Sequence, residues 1–281
     1  MKIGRRKMQI RNDKGIVKWL LIGLCTVFLL VTLVLPLVYV IYTALREGFQ
    51  AYLASVTDTY AVKAIFLTVK VVIITVVINS VFGIFAAWLI TRFQFHGKKI
   101  ISTLIDLPLT ISPIIAGLIF VLTFGRQSAI YPLLEKWGIQ IIFAVPGVVL
   151  ATIFVTFPFI SREIIPVLTV EGTDEEEAAA LMGANGFQIF TQITFPHIKW
   201  AFLYGVVLCS ARAMGEFGAV SVLSGHLRGI TNTMPLYIEL LYQAFDFTGA
   251  FAMSSILVIM ALIILVLRNI LEYRGRKEMD A

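Results

Sequence analysis

Residues 171–196, EGTDEEEAAALMGANGFQIFTQITFP, form an acidic and polar stretch between two long apolar regions, and we call them the acidic segment. Thr173 precedes Glu176 by three residues, a spacing that predicts a capping box at the start of a short helix. Gly183 predicts the end of that helix, because glycine adopts a left-handed turn without steric cost. The acidic segment is therefore predicted to be two short helices that meet at Gly183.

The composition of the whole chain is typical of an integral membrane protein. Of its 281 residues, 59% are hydrophobic and 14% are charged, whereas soluble domains carry about 25% charged residues. Crossing about 30 Å of hydrocarbon takes roughly 20 helical residues at 1.5 Å per residue. An all-α integral membrane protein with six transmembrane helices is predicted. The six predicted spans are 19–42, 64–90, 103–124, 142–165, 198–223 and 249–268.

The order of polar and apolar stretches predicts four parts. Residues 1–18 form a basic tail, and residues 19–62 contain the first transmembrane helix and an outer connecting segment with a short helix. Residues 63–270 form a five-helix core that includes the acidic segment, and residues 271–281 form a second tail.

Lysine and arginine residues are distributed unequally over the predicted loops. Sixteen lie in the two tails and in the loops after the second and fourth spans, whereas at most six lie on the opposite side. The positive-inside rule therefore predicts that both termini and the acidic segment are cytoplasmic. The net charge of +6 follows from this topology and does not indicate nucleic-acid binding.

The sequence lacks the motifs of an enzyme or a cofactor-binding protein. No Walker A motif, nucleophile elbow or H-E-x-x-H sequence occurs. The three histidines (His96, His197 and His226) are scattered without the spacing of metal ligands. Cys25 and Cys209 fall inside predicted spans, where we expect small core residues. We expect no catalytic residue, metal or cofactor in this chain, so ATP-driven transport would need a separate ATPase.

Two charged residues lie within the fifth predicted span. Arg212 is placed near mid-bilayer by helix rise, where a charge costs on the order of 2.5–3.5 kcal/mol. Glu216 lies one helical turn further on the same face. Two interpretations stay open: the pair only holds the bundle together, or Arg212 lines the path and offers its donor fork to an oxyanion. Ser210 and Ser221 add hydroxyl groups to the second interpretation.

The third and fourth spans contain further polar or irregular features. Asp106 is expected at the cytoplasmic interface near the start of a helix, where the helix dipole favours a carboxylate. Pro108, Pro113 and Pro158 lie within or beside apolar runs, and proline there predicts kinks in the helices.

The acidic segment resembles the EAA loop of ABC importer permeases, the segment that docks on the ATPase subunits. One position departs from the usual pattern, because Phe195 replaces leucine. The resemblance implies a type I ABC importer permease fold and a role in ATPase coupling for Glu177, Ala178, Ala179 and Gly183. The matching positions are Glu177, Ala178, Ala179, Gly183, Ile193, Thr194 and Pro196.

From about residue 140 to residue 270 the chain resembles sulfate/thiosulfate permeases of the CysW type. Residues 141–168, 195–229 and 234–252 carry this resemblance, and the sequence R-A-x-G-E-F-G at 212–218 is shared with CysT-type sulfate and molybdate permeases. The resemblance implies import of a tetrahedral oxyanion across a bacterial inner or plasma membrane. It also implies four kinds of partner: a CysT-like permease, two copies of a CysA-like ATPase that bind ATP and Mg²⁺, an extracytoplasmic sulfate-binding protein and the lipid bilayer.

Two alternatives to sulfate import stay open. Molybdate and tungstate share the charge and the tetrahedral shape of sulfate, so a permease for these anions would have a similar sequence. An ion-coupled secondary transporter that uses Lys70, Arg212 and Glu216 as a relay is the other alternative. Inverted repeats would support it, and the sequence contains none that we detect.

Overall fold

The computed structural model describes residues 16–279, and in that range every regular element is a helix. Two π-helical turns, Leu30–Val34 and Phe190–Thr194, connect α1 to α2 and α11 to α12 without a break. The α-helices are α1 Ile16–Leu29, α2 Leu35–Leu45, α3 Phe49–Thr57, α4 Thr59–Arg92, α5 Lys98–Thr110, α6 Pro113–Phe124, α7 Tyr131–Lys136, α8 Val145–Thr156, α9 Pro158–Glu171, α10 Asp174–Leu181, α11 Gly186–Ile189, α12 Phe195–Met214, α13 Gly218–Ser224, α14 Met234–Gln243 and α15 Phe247–Met279.

Five helical segments of the described chain are long and apolar enough to cross a membrane, and a bent pair of helices is a sixth candidate. The predicted all-α membrane class is thus confirmed. The five segments are Lys18–Leu45, Thr59–Arg92, Val145–Glu171, Gly186–Met214 and Phe247–Gly275, and the bent pair is Lys98–Thr110 with Pro113–Phe124.

The third predicted span, 103–124, is wrong as a single helix. Helices α5 and α6 meet at an angle of 111°. Ile111 and Ser112 are extended, with ψ of 135° and 132°. The cause is local, because Pro113 disfavours helical backbone at the residue before it and has no N–H to continue the helix.

The fifth predicted span, 198–223, is also wrong as a single helix. The spanning segment begins earlier, at Gly186, and ends at Met214, and α13 is a separate short helix. Gly218 starts α13 against α6, where a β-carbon on Gly218 would lie 3.0 Å from Pro113 Cβ. Close packing of α13 on α6 therefore determines where the chain breaks.

Helix α4 is central to the bundle and packs against α8, α9, α12 and α14. Ile160 of α9 is fully buried where these helices approach most closely. A β-carbon on Gly83 of α4 would lie 3.0 Å from Ile160 Cγ2, and one on Gly205 of α12 would lie 3.0 Å from Ile160 Cα. Glycine at both positions lets three helices pack around one isoleucine.

The first spanning helix packs against the bundle through its second half, α2, which contacts α15. In its apolar window none of the residues is buried. Cys25 is accordingly exposed, so its predicted core position is wrong, whereas Cys209 is buried as predicted. Tyr39 contributes to the contact of α2 with α15 through an edge-to-face contact with Phe251 at 6.1 Å. The short helix predicted in the outer connecting segment is α3.

Candidate coupling and translocation sites

Helices α10 and α11 meet at Gly183, as predicted from the sequence. Gly183 has φ of +90°. Its N–H donates to Ala180 O at 3.0 Å, and the N–H of Ala184 donates to Ala179 O at 3.0 Å. This pair of bonds is the Schellman motif, which satisfies carbonyl groups that the end of a helix would otherwise leave free.

The capping box predicted at the start of α10 is wrong. The Thr173 hydroxyl donates to Glu177 Oε1 at 2.7 Å rather than capping the helix. Glu176 turns instead toward an arginine on α4, which offers a charge-assisted bond stronger than one to a neutral backbone N–H. The capping box forms at α11, where Asn185 and Gln188 exchange bonds of 2.9 Å. The Asn-x-x-Gln spacing was a signal that the sequence analysis missed.

A two-point ion pair fixes the base of the acidic segment to the bundle. Arg92 Nε lies 2.9 Å from Glu176 Oε2, and Arg92 Nη2 donates to Glu176 Oε1 at 2.9 Å. The side chains are only 9% and 16% exposed. Arg92 Nη1 also donates to Leu168 O at 2.8 Å, and the Thr194 hydroxyl donates to Glu176 Oε1 at 2.8 Å. The Glu176 carboxylate thereby joins α10 to α4 and to the turn before α12, and Arg92 joins α4 to α9.

His197 makes a second connection at the base of the acidic segment. Its Nε2 lies 3.0 Å from Glu175 Oε2 on α10, and its Nδ1 lies 3.5 Å from Glu171 Oε2 at the end of α9. His197 belongs to the first turn of α12. His197 thus connects the end of α9 and the start of α10 to the first turn of α12.

The outer face of the acidic segment is apolar and exposed. Leu181 is 90% exposed, Met182 is 82% exposed and Phe187 is 77% exposed. Glu177 and Ala178 are exposed beside them, whereas Ala179 is buried against the groove below Gly183. Clustered exposed apolar side chains of this kind mark a protein interaction surface.

Arg212 and Glu216 form the ion pair expected from their spacing. Arg212 Nη1 lies 2.7 Å from Glu216 Oε2. Glu216 is in the break between α12 and α13, its side chain is 1% exposed, and its Oε1 accepts the N–H of Ala219 at 2.9 Å. Arg212 belongs to the last turn of α12 and is 34% exposed. Glu216 is therefore held from both sides, and Arg212 extends from it to the subunit surface.

The two serine candidates do not converge on this pair. Ser210 donates its hydroxyl to Val206 O at 2.7 Å, and Ser221 donates to Gly218 O at 2.9 Å. Each hydroxyl is thus bonded within its own helix. The roles of Ser210, Ser221 and Arg212 in a pathway stay predictions.

Asp106 is not at the start of a helix, so its predicted interaction with a helix dipole is wrong. Helix α5 begins at Lys98, eight residues earlier, because Gly97 in a left-handed conformation turns the chain there. Asp106 Oδ1 instead accepts from Arg162 Nε of α9 at 2.8 Å.

At the opposite end of α4 a second polar cluster holds the start of the helix. Asp58 Oδ2 accepts the N–H groups of Tyr60 at 2.8 Å and Ala61 at 3.3 Å, and the Tyr237 hydroxyl at 3.1 Å. The Arg228 guanidinium lies 4.3 Å above the Tyr60 ring. Burial raises the pKa of Asp58, but the hydrogen bonds and the charge of Arg228 outweigh it and hold the pKa below its ordinary value.

Comparison with known proteins agrees with this arrangement. The family model described as "Binding-protein-dependent transport system inner membrane component" matches residues 79–277. The chain belongs to this family. It is accordingly a multi-pass membrane permease that functions in a transport complex with partner subunits.

Named relatives of this permease confirm the resemblance to the CysW type. The chain is 46% identical over 257 residues to the sulfate transport system permease protein CysW of Escherichia coli (strain K12), covering 92% of this chain and 88% of that protein. It is 44% identical over 278 residues to the CysW protein of Synechococcus elongatus (strain ATCC 33912 / PCC 7942 / FACHB-805), covering 99% and 97%. It is 42% identical over 246 residues to sulfate permease 2, chloroplastic, of Chlamydomonas reinhardtii, covering 88% and 67%.

Solved structures share the fold of the permease. A chain of a bacterial alginate ABC transporter in complex with an alginate-bound periplasmic protein aligns with a TM-score of 0.77 at 18% identity, covering 92% of this chain and 94% of that chain. A chain of an amino acid ABC transporter aligns with a TM-score of 0.56 at 15% identity, covering 79% and 96%. The ABC importer permease fold is thereby confirmed.

The permease contains one site residue that the sequence analysis missed. Arg92 was counted only as a basic residue of the loop after the second span. Its partner, Glu176, was assigned to a capping box instead. The sequence did contain a signal for this pair. A lone arginine ends a long apolar helix, and a later acidic stretch lies at the same end of the bundle.

Proposed function

We propose that this chain is the membrane-spanning permease subunit of an ATP-driven importer of sulfate or thiosulfate. The observation that carries the proposal is 46% identity, along 92% of the chain, to a sulfate transport system permease. The acidic segment supports the coupling role, because its apolar outer face is exposed and its base is tied to three helices.

The partners in this proposal follow from the same resemblance. A second, CysT-like permease would complete the membrane passage, and two copies of a CysA-like ATPase would bind the acidic segments at the cytoplasmic face. An extracytoplasmic sulfate-binding protein would deliver the anion. ATP and Mg²⁺ belong to the ATPase, and this chain supplies no enzymatic activity. Both termini are cytoplasmic in this arrangement, as the distribution of basic residues predicts.

Coupling in this proposal is mechanical. Closure of the ATPase pair moves the acidic segment, with Glu177, Ala178, Ala179 and Gly183 at the contact. The ion pair of Arg92 with Glu176 passes that displacement to α4 and α9. Passage of the anion past Arg212 then depends on the position of the spanning helices, and Arg212 offers a planar donor fork suited to an oxyanion.

Uptake by the assembled transporter tests the proposal. The chain is co-expressed with its candidate partner subunits, and uptake of radiolabelled sulfate, thiosulfate and molybdate is measured with and without ATP. We expect ATP-dependent uptake of sulfate or thiosulfate. Uptake of molybdate or tungstate alone would assign the second candidate, which the shared sequence at 212–218 supports. Uptake without ATP, driven by an ion gradient, would identify a secondary transporter.

A further inference from the structure

Asp106 and Arg162 form an ion pair on the exterior of the described subunit. Their side chains are 39% and 55% exposed. Arg162 binds Asp106 through Nε alone, and among the described residues its two terminal amino groups make no hydrogen bond. A guanidinium has five N–H donors, so four remain available to a ligand.

The ion pair lies at membrane depth. The candidate span Val145–Glu171 has 27 residues, a length of about 40 Å, which exceeds the hydrocarbon thickness by about 5 Å at each end. Arg162 is nine residues before the end of this span, a rise of about 13 Å. Asp106 shares this depth, because its Oδ1 lies 2.8 Å from Arg162 Nε. Charged side chains at such depth face protein or water rather than lipid.

Helix α5 shows that this face is polar over several turns. Lys99, Thr103, Asp106 and Thr110 follow one another at intervals of four, three and four residues, which places them on one side of the helix. Lys99, Thr103 and Thr110 are exposed. Such a polar stripe, left uncovered by the subunit itself on a helix that packs beside the spanning helices α8 and α9, is typical of a wall that contacts water.

Arg162 lies nearer than Arg212 to the end of the bundle that carries the acidic segment. Gly205 of α12 lies against Ile160 of α9, and the two helices run in opposite directions. Arg212 lies seven residues after Gly205, away from the acidic segment. Arg162 lies two residues after Ile160, toward the acidic segment. Arg162 therefore lies about 13 Å nearer to the acidic segment than Arg212 does.

We propose that Arg162 is a second cation of the translocation path, which receives a divalent tetrahedral oxyanion after Arg212, and that the polar stripe of α5 is the wall of this path. Asp106 is the counter-ion of Arg162 and binds its Nε when no anion is present. When an anion reaches Arg162, the negative charge of Asp106 repels it and favours its movement along the path. Lys99 is the next cation along the stripe. The inference rests on the proposed function, because it takes sulfate as the ligand class.

Cysteine accessibility in the assembled transporter tests the proposal. In a background with Cys25→Ser and Cys209→Ser, Thr103→Cys, which places a thiol on the exposed polar stripe and keeps Arg162, is treated with a membrane-impermeant, sulfonate-bearing methanethiosulfonate. We expect reaction, and at least a threefold slower reaction in the presence of sulfate. Leu33→Cys is the matched control, because Leu33 is 56% exposed in the subunit but lies in the apolar window of the first span, where no residue is buried; it should not react. Absence of reaction at Thr103→Cys, or reaction that no transported anion slows, would overturn the proposal.

Sulfate uptake by two Arg162 variants is a second, independent test of the proposal. We expect Arg162→Gln to reduce sulfate uptake at least tenfold while the complex still assembles, and Arg162→Lys to retain part of the uptake. Equal uptake in Arg162→Gln and wild type would contradict the proposal. The wild-type complex and molybdate are included in both assays. If wild type imports molybdate but not sulfate, the proposed function is wrong, and protection of the Thr103→Cys thiol by molybdate would still support the path.

Discussion

Arg92 is the last residue of α4, and its guanidinium group binds two partners. Glu176 of α10 makes two contacts of 2.9 Å with it, and Leu168 O accepts a hydrogen bond from Nη1 at 2.8 Å. The acidic segment is therefore attached to the central helix of the bundle as well as to its sequence neighbours. Displacement of α10 by a partner protein moves α4 directly.

Loss of this attachment should uncouple ATP hydrolysis from transport. Breaking a nearly buried ion pair on one side costs about 3 kcal/mol, because the remaining charge loses its partner. We expect Arg92→Gln and Glu176→Gln to reduce uptake about tenfold, with ATP hydrolysis retained. The ratio of anion imported to ATP hydrolysed measures the effect. Asp174→Asn is the control, since it removes the same charge from an exposed position of α10. An unchanged ratio in both variants would assign the pair no role in coupling.

Gly183 and Gly186 allow a matched test of backbone strain. A β-carbon at either position meets no atom within 4 Å, but only Gly183 has a positive φ, of +90°. Gly183→Ala should therefore destabilise the turn by about 1–2 kcal/mol, while Gly186→Ala should have little effect. Substrate-stimulated ATP hydrolysis and complex yield are measured for both. Equal behaviour of the two variants would contradict a special requirement at Gly183.

The Arg212 and Glu216 pair can be separated into a structural and a transport role. Arg212→Gln leaves Glu216 buried with half of its bonds, and Glu216→Gln leaves Arg212 without its counter-ion, so each single variant is expected to lower complex yield. The double variant Arg212→Gln with Glu216→Gln should recover assembly. If Arg212 lines the path, uptake stays at least tenfold reduced in the double variant, and full uptake there would leave Arg212 with a structural role only.

The lowered pKa of Asp58 predicts that this residue stabilises the fold and that the stabilisation is lost in acid. Its pKa in the folded protein is below the ordinary value of 3.8, so the native state favours the ionised carboxylate. This stabilisation is fully present above pH 3.8 and is lost as the pH falls through the lower folded value. Asp58→Asn keeps a good N-cap but removes the charge. We expect the Tm difference between wild type and Asp58→Asn to shrink below pH 3.8. A difference that is constant with pH would refute the assignment.

The features that were predicted correctly from the sequence are those that local residue patterns determine. Long apolar runs specified the spanning helices, and Gly183 specified the turn in the acidic segment. Pro113 also predicted a kink, and the chain bends by 111° there. The break near Gly215 was missed because the apolar pattern continues through it, while the contact of Gly218 with Pro113 depends on residues far apart in the chain. The same reason explains Glu176, whose long-range partner Arg92 prevailed over a local cap.

Helices α6 and α13 touch through glycine on both sides, and this has a consequence for how the permease opens. A β-carbon on Gly218 would lie 3.0 Å from Pro113 Cβ, and one on Gly117 would lie 2.9 Å from Ala219 O. No space remains for one short helix to tilt without the other. We therefore expect α6 and α13 to move as one unit in any rearrangement of the bundle, with the chain breaks before them as the places where the backbone bends.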